Sequence, residues 1–231
     1  MTWKEIVCGI LLLLSLLSRG FCATTQEQLE SARKLVKDNQ HAKALDILES
    51  LTQGGFANVA LLKSDKDLQS LHSDARFAKV VETAQRNLTP CKFAPEYRQF
   101  DFWIGEWNVT AGGVLAGTSS VQLILDDCVL LENWTGATGY TGKSFNLYNN
   151  ATKQWQQTWV DNSGTIIEFK GESAGNEVRF RSESAQADGS KVLGKMTFTK
   201  RSDGKVRQLW EQSTDQGKTW SVAFDGMYEK K

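Results

Sequence analysis

Two hydrophobic rhythms divide this chain. From Thr24 to about Arg86, apolar residues recur every three or four positions. Leu29, Ala32 and Leu35/Val36 form one stripe. After Asp38-Asn39-Gln40, the residues Ala42, Ala44-Leu45, Ile47-Leu48 and Leu51 form a second, stopped by Gly54-Gly55. This spacing predicts amphipathic helices. Ser73 or Asp74 is placed to cap a further helix through Phe77, Val80-Val81 and Ala84. From Phe100 onward the period falls to two. Alternation predicts ten strands, at about 104–112, 117–126, 128–135, 142–148, 154–160, 164–171, 176–183, 191–199, 205–212 and 219–228. Asp126-Asp127, Asn149-Asn150, Asp188-Gly189, Ser202-Asp203-Gly204 and Asp215-Gln216-Gly217 supply turn chemistry between them. Nothing after Phe100 is long and helical enough to act as a crossover, so consecutive hairpins form a meander. A meander without a covering helix hides its edges by closing on itself. The predicted fold is an all-β antiparallel up-and-down barrel of about ten strands (residues 100–231) with an N-terminal α-helical appendage (24–86). Residues 87–99 read as the linker and hold both prolines, Pro90 and Pro95.

The first 22 residues change the compartment. Lys4 precedes an apolar run from Ile6 to Leu17, followed by Ser18-Arg19-Gly20-Phe21-Cys22. That run has the length of a signal-peptide core and is short for a membrane span. A retained anchor is the alternative. Cleavage after Gly20 or Cys22 predicts a secreted protein, extracellular or periplasmic, with no stable membrane insertion afterwards. Cys8 and Cys22 then leave with the signal. Cys91 and Cys128 remain, and an oxidising compartment predicts a disulfide between them, with two free thiols as the alternative. Four Asn-x-Thr triplets begin at Asn87, Asn108, Asn133 and Asn150. Pro90 directly after Thr89 weakens the first. In a eukaryotic host, Asn108, Asn133 and Asn150 would be the glycan acceptors.

Charge and histidine content exclude several classes. Lys plus Arg number 27 and Asp plus Glu number 27, which gives no electrostatic case for nucleic acid. His41 and His72 are the only histidines and both lie in the helical part, so no metal or other cofactor is expected.

Alternation also sorts side chains into faces. Placing Asn108 outside puts Trp107 and Val109 inside, and placing Asn133 outside puts Glu132 and Trp134 inside. Trp155, Gln157, Trp159 and Asp161 share a face of the fifth strand. Gln208 and Trp210 share one of the ninth, with Arg207, Leu209 and Glu211 opposite. Trp220, Val222, Phe224 and Tyr228 line up on the tenth. Indoles with sparse polar groups suit a ligand cavity, and they equally suit a filled core. The candidate ligand-binding residues are Glu132, Trp134, Gln157, Trp159, Gln208 and Trp210. An inward Glu132 needs a partner, with Arg207 or a ligand as the candidates.

Gly105-x-Trp107, after the aromatic run Phe100-Asp101-Phe102-Trp103, resembles the start of lipocalin-like (calycin) barrels. The resemblance implies a late-strand Arg packed over Trp107, and Arg207 matches that place. Phe100 to Trp107 taken with Trp155-Gln156-Gln157-Thr158-Trp159-Val160-Asp161 is similar to a set of exported β-domain proteins. Ten strands resemble the fatty-acid-binding and nitrobindin-like barrels. Nitrobindin-type haem binding needs an axial His, and none follows His72. The helical pairs resemble tetratricopeptide repeats, which implies a possible protein partner for that segment. Ser213-Thr214-Asp215-Gln216-Gly217-Lys218-Thr219-Trp220 matches the Asp-box hairpin. That resemblance implies a structural turn in which Asp215 bonds the backbone and Trp220 packs beneath.

No Gly-x-Ser-x-Gly, phosphate loop or His-Glu-x-x-His occurs. Glu132 and Asp161 could face one cavity and act on a glycoside, although any barrel offers such a carboxylate pair. The expected function is therefore binding of a small apolar or amphipathic ligand inside the barrel. The alternatives are a protein- or glycan-interaction module with a solid core and, behind it, a glycoside hydrolase.

Overall fold

The computed structural model describes residues 24–186 and 188–231, so the expected signal segment lies outside the described residues. The chain forms two compact units that divide between Leu88 and Thr89.

The first unit contains α1 (Thr25–Lys37), α2 (His41–Gln53), α3 (Val59–Ser64), a 3-10 turn at Lys66–Leu71 and α4 (Ala75–Leu88). Local chemistry sets the starts. Thr24 Oγ1 accepts from Glu27 N–H while the Glu27 carboxylate accepts from Thr24 N–H, a closed capping box. Asp74, not Ser73, opens α4: its Oδ1 accepts from Arg76 N–H at 2.7 Å. Leu29, Ala32, Leu45, Leu48, Leu68, Phe77, Val80 and Ala84 meet in one buried cluster. Arg33 pairs with Asp65, and Arg76 with Asp46 and Glu49. His41 is the first residue of α2, and the His72 ring stacks on Phe77 at 4.9 Å.

The second unit opens with α5 (Pro90–Phe93) and 3-10 turns at Pro95–Arg98 and Asp101–Trp103. The expected linker is thus a string of short helical turns. Each proline sits in a first turn, where its missing N–H costs nothing. Ten strands follow: β1 (Gly105–Ala111), β2 (Val114–Ile124), β3 (Val129–Gly136), β4 (Thr141–Asn149), β5 (Gln154–Asp161), β6 (Ile166–Ala174), β7 (Glu177–Ala185), β8 (Lys191–Lys200), β9 (Val206–Ser213) and β10 (Ser221–Lys230). Each pairs antiparallel with its neighbour in sequence, and β10 returns to β1 with Trp107 opposite Lys230. The sheet is a closed up-and-down barrel.

One end of the barrel is filled. Phe100 lies among Trp103, Trp155, Phe180 and Phe198, with ring centroids 5.0–6.1 Å apart. Trp107 Nε1 donates to Trp103 O at 2.9 Å, which ties the plug to β1. A disulfide joins Cys91 to Cys128, so the segment leading into the plug is bonded to the β2–β3 connection. Gly105 has φ +144°, and a Cβ there would meet Lys230 Nζ at 2.1 Å. The positive φ favours glycine here, and a Cβ would in addition push the Lys230 side chain aside.

Arg207 does not close this end. Strand alternation puts it on the outer face of β9, where its guanidinium forms a two-pronged pair with Asp225 at 2.7 and 2.8 Å. Lys230 takes the position over Trp107 instead, with Nζ 4.3 Å from the ring centroid and donating to Ile104 O. The tenth strand also differs from expectation. A bulge between Val222 and Phe224 shifts the register, so Val222 is 62% exposed while Phe224 and Tyr228 turn inward. Trp220 stays outside the barrel: its Nε1 donates to Gly217 O, and Lys195 Nζ lies 3.5 Å from its ring. Asp215 accepts from Thr219 N–H and Oγ1, as a hairpin-closing residue does.

Candidate functional site

The interior opposite the plug holds a cavity. It has a volume of about 740 Å³ and is bordered by the late ends of the odd strands and the early ends of the even ones, among them Asp161, Ile166 and Ala185. Three tryptophans lie in the plugged half (Trp103, Trp107, Trp155) and three border the cavity (Trp134, Trp159, Trp210). Glycine makes the difference. A Cβ at Gly142 would sit 2.3 Å from the Trp159 ring, at Gly117 2.9 Å from Trp134, and at Gly226 2.4 Å from Phe224. Each ring occupies the room that a neighbouring strand leaves bare. The rings therefore lie along the wall, and the middle stays open.

All six candidate ligand-binding residues border this one cavity: Glu132, Trp134, Gln157, Trp159, Gln208 and Trp210. The polar ones form its floor through a continuous hydrogen-bond chain. Ser119 Oγ donates to Glu132 Oε1 at 2.8 Å, and Ser144 Oγ donates to Oε2 at 2.9 Å. Asn146 Nδ2 donates to Ser144 Oγ and to Leu130 O. Because a carbonyl accepts from Asn146 Nδ2, its Oδ1 must be the acceptor for Gln157 Nε2, at 2.6 Å. That fixes the amide of Gln157 with its own oxygen as a remaining acceptor. On the far side, Tyr228 hydroxyl lies 2.6 Å from Gln208 Oε1 and 3.4 Å from Glu132 Oε1. Gln208 Nε2 in turn reaches Met196 Sδ at 3.1 Å.

Glu132 is the centre of the chain and has no cation beside it. It is 4% exposed, and three hydroxyls surround it. Burial pushes its carboxyl up to about 7, against the opposing pull of the Ser119, Ser144 and Tyr228 hydrogen bonds. Burial also raises the Tyr228 phenol well above its ordinary value. Arg207, the cation expected as a partner, is spent on Asp225.

Asp161 stands at the mouth and behaves in the opposite way. It accepts from Tyr140 hydroxyl, Trp159 Nε1, Ser163 N–H, Ser163 hydroxyl and Thr165 N–H. Burial works to raise its pKa, yet these hydrogen bonds prevail and hold it well below the usual carboxylate range. Both of its oxygens are thus engaged by hydrogen bonds at the mouth.

The candidate glycan acceptors point outward or lie in turns. Asn108 and Asn150 are exposed, and Asn133 is half-buried, its Oδ1 accepting from Lys143 Nζ. Asn87 is committed inside the helical unit, donating to Thr52 O and Phe56 O. Sequence reasoning missed Ser119, Ser144 and Asn146, and did not assign Tyr228 to the floor. The available signal was a small polar residue at an inward position on β2 and on β4, directly opposite or next to Glu132 in the register.

Neither a protein-family model nor a curated protein matches this chain. The functional reading therefore rests on the geometry.

Proposed function

We propose that this chain is a lipocalin-like carrier that holds a small amphipathic molecule within its barrel. The supporting observation is the cavity itself: about 740 Å³, with indole walls and a few convergent polar groups at the floor. That is the size and lining of a small-molecule site. A module acting only through its surface would gain nothing from glycines that hold three large rings off the barrel axis. Export through the N-terminal segment agrees with a carrier role, as does the Cys91–Cys128 bond. The helical unit is read as a docking element for a protein partner, on its tetratricopeptide-like spacing.

The test is occupancy. Trp134, Trp159 and Trp210 border the cavity, so intrinsic fluorescence reports filling directly. A neutral apolar dye such as Nile red should bind with about 1:1 stoichiometry and quench the indoles. Ile167→Trp places a large ring in the cavity and should weaken dye binding about tenfold or more. Val222→Trp, on the outer face, should leave it unchanged. Equal dye binding by wild type and Ile167→Trp would remove the reading.

A further inference from the structure

The sign of the charge inside the cavity narrows the ligand class. Among the described residues bordering it, the charged side chains are Glu132 and Asp161, and no Lys, Arg or His is present. The floor is also rich in free acceptors. Glu132 Oε2 accepts from Ser144 alone, which leaves a lone pair unused. Gln157 Oε1 is the acceptor left over once its Nε2 is committed to Asn146. A carboxylate or phosphate ligand would meet a second acid and no cation there. An ammonium group carries three donors and would meet acceptors, with indoles around it whose faces attract cations.

We propose that the cavity takes a cationic amphiphile, with its ammonium nitrogen at the Glu132–Gln157 floor and its apolar body among Trp134, Trp159 and Trp210. This rests on the cavity being a ligand site. It adds the charge of the ligand and a link between binding and protons. The groups that bond Glu132 are Ser119 from β2, Ser144 from β4 and Tyr228 from β10, with Asn146 of β4 and Gln208 of β9 one hydrogen bond beyond. Tyr228 is the one titratable group among them, and it keeps its proton. A neutral Glu132 therefore has one route to charge when an ammonium arrives: its carboxyl proton leaves to solvent, and the carboxylate and ammonium remain as the bound pair. Below the carboxyl's pKa of about 7, each pH unit then weakens amine binding by close to tenfold.

The test uses a matched trio with one indole body: tryptamine, its neutral alcohol tryptophol, and indole-3-acetate. Titration of the full chain at about pH 8 should rank the amine at least tenfold tighter than the alcohol, with the acid weakest. The preference should vanish by about pH 5. Calorimetry in two buffers of different ionisation heat should show about one proton released on amine binding near pH 6, and none for the alcohol. E132Q should abolish the preference for the amine over the alcohol. The calorimetric arm needs no variant, so it decides the matter even if E132Q does not fold. Equal binding of amine and alcohol, or tighter binding of the acid, overturns the cation assignment and leaves the carrier reading standing. Failure of all three compounds together with Nile red overturns both.

Discussion

A buried glutamate held by hydroxyls and no cation makes the barrel's stability depend on pH in an uncommon direction. The unfolded chain releases the Glu132 proton near the ordinary value of 4.5, whereas the folded chain keeps it to about 7. Between those values the folded state binds more protons, so stability falls as pH rises and levels off above about 7. The neutral isostere Glu132→Gln should remove this slope. Chemical denaturation at about pH 5 and pH 8 should show wild type losing up to ~3 kcal/mol and E132Q staying nearly flat. A wild type that gains stability over the same interval would show the carboxyl to be ionised in the fold. At this scale the sequence was half legible. Inward alternation placed Glu132, Gln157 and Gln208 correctly on the cavity side. The same alternation put Arg207 on the face opposite Gln208 and Trp210, so the resemblance that assigned it to Trp107 was at odds with the strand pattern, and Asp225 holds it on the outer face while Lys230 covers the ring.

Elements divide by what the glycines beside them permit. At the plugged end Phe100, Trp103 and Trp107 are fully buried and interlock with β5, β7, β8 and β10. Trp107→Ala should therefore lower stability by roughly 3–5 kcal/mol in a denaturant melt, the range for truncating a large core aromatic. The same substitution at Trp159, which borders open space, should cost less, since its ring already lacks neighbours on one side. The alternating pattern announced the strands within a few residues because both faces of a closed barrel keep a strict period of two. It failed at Val222, where a bulge inserts one residue and inverts the faces before it. A bulge leaves no mark in hydrophobic periodicity except a phase slip, and a slip at a strand end reads as an ordinary turn.

For the whole molecule, the division between Leu88 and Thr89 puts both bonded cysteines in one unit. Reduction should act on the barrel alone. The bridge spans 37 positions, and opening it should lower barrel stability by about 4 kcal/mol in the chain-entropy view. Calorimetry with and without reductant should show one transition moving down and a helical transition staying in place. Two transitions shifting together would show the units to be coupled. The architecture was legible at this scale because each of the ten strands pairs with its sequence neighbour, so no long-range connection had to be guessed. The cavity was not legible. Alternation tells which way an indole points and says nothing about whether a ring lies along the wall or fills the centre.

That neighbour-to-neighbour pairing has one more consequence. β1 and β10 meet as any other pair does, with Lys230 lying over Trp107 and Lys231 N–H donating to Glu106 O across the junction. In a ring of this kind the place where the covalent chain begins is arbitrary. A barrel unit opened at Asp203-Gly204, with Lys231 linked to the segment that leads into the plug, would run through the same ladder of pairings. The ring has a top and a bottom, fixed by the plug, and its first strand is first only in the order of synthesis.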